Sequence, residues 1–429
     1  MPVITNKNET TLQNLLEWTG SIDNIYNPML FGIKNIETLE LIYSVKKEFL
    51  KENVILAKSL DHTMFESLDK YVKQKLPCKD IKQAIIQKKK IEIHGIYPSH
   101  YVENPDIFRT ATRLNKISFS HNDSSKKFNF IRPEFYENKD SFVAFIPCGK
   151  DYLQHYSSLL IYFLDTLTTR WSDYTTIFRY PYAENSIHIW SQLDSNFIKE
   201  GDRVIIGYVE ELEKYITEMY PDLIVETFEN KFYKSTRIIS KNINFLGVKY
   251  SFWGNMSAKL VNRFCNLGAS EIIYFGKLGT LESPNCIYNK IYSPTSYSVV
   301  YHDKIVSIID DLPNQLSVFL PPTGMHTSVP TIMEEDYLQR DLLDILKSES
   351  MDNEISQIAY TIKKFNLDNQ KQVKYSCCHF ATDYIRQLEN QNEITEYDLS
   401  NNRTDSAKIK KAEIIAKISS IITNYLFQI

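Results

Sequence analysis

Three short stretches in the C-terminal half of the 429-residue chain carry residue types that could do chemistry. The first, Tyr274-Phe275-Gly276-Lys277-Leu278-Gly279, follows an apolar run. Its glycines read as a tight turn that lets a ligand approach the backbone, and Lys277 offers a point charge for phosphate. The second, Met351-Asp352-Asn353-Glu354, opens a segment of helical periodicity, and the third, Thr382-Asp383, follows an apolar run over 373–380. An acid in the first turn of a helix often does no more than complement its dipole, so Asp352 alone says little. Glu354 and Asp383 together say more. Two carboxylates, each near the carboxyl end of a strand, can converge on one crevice, bind hydroxyls and move a proton.

Positioning those stretches requires a sheet, and from Asp202 onward the sequence reads as one. Val204-Ile205-Ile206 predicts a strand, Gly207 a turn, and 209–219 a helix. Further strands are expected over 245–252 and 271–275, the latter closed by the turn Gly276 to Gly279, with a helix over 256–267 between them. Strand, helix and strand in succession imply parallel pairing with a right-handed crossover. An apolar run over 299–309, a helix over 351–365 and a core strand over 373–380 follow. The chain closes in a helix capped by Asp405 or Ser406, with Ile414, Ile415, Ile418, Ile422 and Tyr425 on its apolar face.

The N-terminal half is less regular. Leu39, Ile42, Tyr43, Phe49 and Leu50 recur at helical spacing, and a second helix is expected over 81–90, with Lys88-Lys89-Lys90 as its solvated end. Composition turns polar over 115–140, where His121-Asn122-Asp123-Ser124-Ser125 reads as a loop. Phe142-Val143-Ala144-Phe145-Ile146 predicts a buried strand stopped by Pro147 and Gly149, followed by a helix over 159–167. His155 and His188 lack companions at metal-ligand spacing and read as surface or core histidines, so no metal is expected.

Length favours two domains, and 43% hydrophobic with 24% charged residues matches a packed globular chain. A net charge of -4 gives no global basic surface, so nucleic acid is not an expected partner. Six cysteines form no dense disulfide framework, and Cys377-Cys378 reads as a pair of buried thiols in a reducing compartment. Without a secretory pattern in the first 15 residues, or an apolar run of about 18, the expected location is cytoplasmic and away from membranes.

Met351-Asp352-Asn353-Glu354-Ile355-Ser356-Gln357-Ile358-Ala359-Tyr360 resembles the glutamate-bearing segment of the nucleoside phosphorylase/nucleosidase superfamily, which typically reads Glu-Met-Glu followed by small and apolar residues. The resemblance continues in order through Gly207, Gly254-Asn255, the Gly276 to Gly279 turn and His326-Thr327-Ser328-Val329-Pro330-Thr331-Ile332. It covers about residues 201–429. It implies an α/β domain with a mixed sheet flanked by helices, preceded over 1–200 by a mixed α/β or α+β domain of no recognised family. By the same resemblance Glu354, with Asn353 beside it, binds ribose hydroxyls. Asp383, in a Thr382-Asp383 pair that matches the family's Ser-Asp, protonates the leaving base, and Ile332 and Thr382 contact the base. Gly207, Gly254, Asn255, Gly276 and Lys277 form the phosphate- or sugar-binding loops.

Three departures bear on the nucleophile. Tyr274 stands where phosphorylases often carry a phosphate-gripping arginine, Asn353 replaces the usual methionine, and Leu212 falls where nucleosidases place a water-activating glutamate. The resemblance thus implies cleavage of the N-glycosidic bond of a purine-type or modified nucleoside or nucleotide, by water or by phosphate. It implies no cofactor apart from inorganic phosphate as a co-substrate, and a homo-oligomer. The alternative is a nucleoside-binding or protein-interaction module without turnover on the same fold.

Overall fold

The structure is a computed structural model. It describes residues 44–45, 62–64, 67–96, 112–114, 128, 133–168, 174–179, 184–185, 187, 191–301, 304–310, 312–385 and 404–428. Two sheets divide them. The first holds β1 (Ser44–Val45), β2 (Lys90–His94), β3 (Thr112–Arg113), β4 (Glu134–Glu137), β5 (Ser141–Phe145) and β6 (Thr175–Phe178), in the order β1-β6-β2-β5-β4-β3. Strand β5 is buried along its whole length and pairs in parallel with β2, as a strand covered on both faces should. Around it pack α1 (Ser67–Lys75), α2 (Cys78–Ile86) and α3 (Lys150–Asp165).

The second sheet begins with β7 (Arg203–Gly207), β8 (Val225–Glu229), β9 (Tyr233–Ile238), β10 (Ile243–Val248), β11 (Glu271–Thr280) and β12 (Ile291–Tyr292). It continues with β13 (Tyr297–Tyr301), β14 (Lys304–Ile309), β15 (Met325–Ser328), β16 (Ser348–Asp352) and β17 (Lys374–Tyr384). Strands β10, β7, β11 and β17 run parallel, while β8, β9, β12, β14 and β16 each make an antiparallel pairing, so this mixed sheet flanked by helices is α/β in class. The helices are α4 (Val209–Met219), α5 (Asn255–Asn266), α6 (Tyr337–Ile345), α7 (Ile355–Asn369) and α8 (Asp405–Phe427). Helix α4 shows why they form: Val209, Leu212 and Ile216, spaced by three and four, make one buried stripe between Glu and Lys. Each such side chain contributes about 1.5–3 kcal/mol on burial. None of the described helices is long and apolar enough to cross a membrane.

Several expected elements differ. Gly276 to Gly279 is not a turn; β11 runs through it to Thr280, pairing with β17 along its whole length. Glycine suits the strand there because neighbours fill the missing side chains: a Cβ on Gly276 would lie 2.5 Å from His379 Nε2, and one on Gly279 would lie 2.9 Å from the Asp383 carboxylate. The helix expected from 351 begins at Ile355, since Ser348–Asp352 is claimed by pairing with β11 and β15. The run over 299–309 is a hairpin, β13 with β14. In the N-terminal half α2 stops at Ile86, Lys88 takes φ 56°, and Lys90 opens β2. Lys89 is not a solvated end either: its side chain is 11% exposed and bonds Glu137 at 2.8 Å. Within the polar stretch 115–140, Glu134–Glu137 is a strand, and Ser44–Val45 breaks the helix expected over 39–50. The rest of that helix, His121 to Ser125, the first 15 residues and His188 lie outside the described residues. Thr404, not Asp405 or Ser406, caps α8, its side chain accepting from Ala407 N at 3.2 Å.

Candidate functional site

The register of β11 organises the site. Along one edge, β7 pairs in parallel up to Phe275↔Gly207, while β16 pairs antiparallel at Gly279↔Met351 and Thr280↔Ser350. The carboxyl ends of β7 and β16 therefore meet head-on beside Gly276 to Leu278, and Asn353 and Glu354 leave the sheet there. Along the other edge β17 sets His379 level with Gly276 and Asp383 level with Gly279. Glu354, just past the end of β16, and Asp383, on β17, thus lie on opposite edges of one strand.

Gly207 ends β7 at φ 98°, in the left-handed region, and Tyr208 N donates to the Phe275 carbonyl at 2.8 Å. A side chain there would run into that carbonyl, so the tight exit requires glycine. Across the gap, the backbone of Gly254 and Asn353 favours the charged form of the Glu354 carboxyl, and Tyr274 lies within reach of its charge. Burial, with the charge of Asp352 second, pushes Glu354 well above the ordinary carboxylate range, against the opposing charge of Lys277. A carboxyl that carries its proton can both donate and accept a hydrogen bond. Lys277 is exposed, and the Asn353 amide donates to the Val329 carbonyl at 2.6 Å.

Behind Glu354 lies a closed polar knot. Asp352 sits 2.8 Å from His326 Nε2 and accepts from Ser328 Oγ at 2.7 Å and from the N–H groups of Glu354 and Ile355, just ahead of α7. Burial alone would raise its pKa, but His326, then His379 and Ser328, hold it below the usual value. His379, fully buried, stands edge-on to Tyr274 with centroids 4.5 Å apart. Neither of its ring nitrogens has a hydrogen-bond partner among the described residues, and burial lowers its pKa to about 3.

Gly254, at φ 54°, precedes α5, and the N-terminal half enters the site here. Asp151, fully buried in the first turn of α3, accepts from Asn255 N at 2.8 Å and from the Tyr301 hydroxyl at 3.1 Å. A Cβ on Gly254 would overlap this carboxylate. Asp151 thus occupies the anion-attracting N-terminus of α5, with Glu354 on the other side of Gly254. Burial raises the Asp151 pKa.

Asp383 keeps different company. It is buried, accepts from the Thr382 hydroxyl at 2.8 Å, and its charge acts on Glu335 and Tyr71. Glu335 follows the 3-10 turn Ile332–Glu334, and its own burial, then Asp383, raises its pKa to about 8. Ile332, expected against the base, is half-buried against the N-terminal core, and its carbonyl lies 2.7 Å from His62 Nε2. Nearby, Trp253 stacks on His155 at 4.8 Å and donates to the Pro330 carbonyl. His155 is therefore a core histidine, 2.8 Å from the Thr331 hydroxyl.

Leu212, at the position expected for a water-activating acid, is buried in the core. Cys377 and Cys378 are buried free thiols. Among the described residues no cluster of His, Cys, Asp and Glu is arranged to hold a metal. Asp151, Glu335 and His379 escaped the sequence reading because each reaches the site through long-range packing. Only the acidic run Glu334-Glu335-Asp336 gave a signal, and it reads equally well as the start of a helix.

No family model matches the chain. It is 28% identical over 383 residues to a protein of Cordyceps militaris named oxidoreductase cns1; the match takes in 84% of this chain and 48% of that one, so the chain spans about half the length of its curated relative. Among solved structures it is similar to an MTA/SAH nucleosidase, with TM-score 0.38 and 12% identity over 54% of this chain and 98% of that one. Similar too are a futalosine hydrolase mutant of Helicobacter pylori (TM-score 0.36, 13% identity, 52% of this chain and 98% of that one) and the 5'-methylthioadenosine nucleosidase of Arabidopsis thaliana (TM-score 0.36, 11% identity, 53% and 95%).

Proposed function

We propose that the chain binds a nucleoside or nucleotide across β11 and hydrolyses its N-glycosidic bond. The observation that carries this reading is the Glu354 carboxyl, set within reach of Tyr274 and the backbone of Gly254 and Asn353 at the meeting of two strand ends, with Asp383 on the far edge of the same strand. In this reading Glu354 grips the sugar hydroxyls. Asp383 gives a proton to the base as the C–N bond breaks, and the sugar develops oxocarbenium-like charge. Water adds to the anomeric carbon, forming a C–O bond and losing a proton to solvent.

Asp151 favours water over phosphate. Its carboxyl already occupies Asn255 N, where Gly254-Asn255 would cradle a phosphate, and fills the space beside Gly254 that a phosphate oxygen would need. The Tyr274 phenol, kept neutral by burial, offers no cation in place of an arginine. Incubation with purine nucleosides and nucleotides, with and without phosphate, tests the reading. Free base and free sugar should form at a rate indifferent to phosphate. Release of no base sinks it, and release only with phosphate overturns the assignment of water. A nicotinamide dinucleotide arm belongs in the assay because of the name its Cordyceps militaris relative bears.

A further inference from the structure

From Glu335, which feels the charge of Asp383, into the first turn of α6 the protein leaves polar atoms buried without partners. Glu335 Oε1, both amide atoms of Gln339, and Nε and Nη1 of Arg340 have no hydrogen-bond partner among the described residues. Glu335 is 3% exposed, Gln339 0% and Arg340 6%. Each such atom costs about 1–3 kcal/mol unless something satisfies it, and native interiors hold few of them. Here they fall within six consecutive residues spanning the start of α6, close to the acid that is the candidate proton donor.

The surroundings are built, not collapsed. Asp336 caps α6 by accepting from Gln339 N at 2.9 Å, which fixes the backbone carrying Gln339 and Arg340. Arg340 Nη2 lies 3.4 Å from Asp344. From the N-terminal half, Thr63 N donates to the Glu335 carbonyl at 2.8 Å, and its hydroxyl donates to Glu335 Oε2 at 3.1 Å. Tyr71 of α1 is buried within reach of the charges of both Glu335 and Asp383. One carboxyl oxygen of Glu335 is thus fastened, and the other is left over.

The geometry points to a nucleobase-recognition subsite: Glu335, Gln339 and Arg340, beside Asp383, supply the donors and acceptors that meet the hydrogen-bonding edge of the base. This rests on the glycosidic reading of Asp383 and names the part of the substrate held there. A primary amide presents donor and acceptor side by side, and so does a protonated carboxyl, which matches a base edge and not an anion. Glu335 is in that form at neutral pH. The groups facing it are Asp383 from β17, Arg340 from α6, and the hydroxyls of Thr63 and Tyr71. Burial and Asp383 outweigh Arg340 and Thr63.

The test is calorimetric titration of the full chain with free adenine, cytosine and uracil at pH 6.5 and pH 9. At least one base should bind at pH 6.5, and roughly tenfold more weakly at pH 9, once Glu335 ionises beside Asp383. Gln339→Leu should weaken binding by roughly tenfold or more. Glu335→Gln, a neutral isostere, should keep the pH 6.5 affinity within about threefold and abolish the loss at pH 9. Binding of no base, or binding indifferent to both substitutions, overturns the proposal and leaves these polar atoms to ordered water. Should Gln339→Leu fail to fold, the flat pH profile of Glu335→Gln decides alone. The two readings fail separately: bases that bind without any nucleoside being cleaved sink the hydrolase, and cleavage with base binding indifferent to Glu335 and Gln339 sinks the subsite.

Discussion

Asp352 and Glu335 are both buried acids at helix starts, yet they sit on opposite sides of their ordinary pKa values. Asp352 is lowered, because His326, then His379 and Ser328, favour its charged form against burial. Glu335 is raised to about 8, because one hydroxyl donor and the Arg340 guanidinium do not offset burial and the charge of Asp383. Donors, not depth, decide the sign. A saturated knot holds Glu354 in place, whereas an unsaturated cluster waits for partners.

The sharpest way to break this contrast is Asp352→Ala. It leaves His326, Ser328 and the α7 N-terminus without their acceptor, and urea unfolding should show a loss of about 3–5 kcal/mol. A loss below about 1 kcal/mol would mean that the knot is ornamental. Asp383→Asn comes next. Turnover should fall by about 100-fold or more while nucleoside binding largely persists, since an amide cannot donate the proton. Equal loss of binding would recast Asp383 as structural.

Glu335→Gln should matter less, and in a pH-dependent way. A raised carboxyl does not penalise the fold at low pH. The penalty grows as pH climbs from the unfolded value near 4.5 to about 8, on the order of a few kcal/mol. Between pH 5 and pH 8 the wild type should therefore lose more melting temperature than the variant, and parallel curves would refute the assigned shift. Asp352 has the reverse sign: its stabilisation is present above an unfolded carboxylate value of about 3.9 and is lost as pH falls through its lower folded value. Thr404→Ala, which removes the cap of α8, sets the scale for an exposed polar contact at about 1 kcal/mol by the same unfolding assay. A cost as large as that of Asp352→Ala would erase the distinction between buried and exposed partners.

Much of the sheet was legible because burial imposes periodicity. The strand and helix at 204–219 and the strand over 142–146 agree with the structure to within one or two residues. Glycine misled the reading at Gly276 and Gly279. Locally they resemble a turn, whereas in the fold they are strand positions emptied for His379 and Asp383. The segment over 351 misled it for a related reason: pairing with β11 and β15 overrides the helical pattern as far as Asp352.

By itself the sequence determined where apolar stripes and runs must be buried, and hence most of the elements and the candidates Glu354 and Asp383. Tertiary structure alone decided what those acids are to each other. Pairing register put them on opposite edges of β11, and packing between distant segments brought Asp151 to Asn255 and Thr63 to Glu335. Hydrophobic patterning is a local property of a few turns of chain. The protonation of a buried acid depends on which donors and charges surround it, and here those range from neighbours in the chain to Thr63, 272 positions from Glu335.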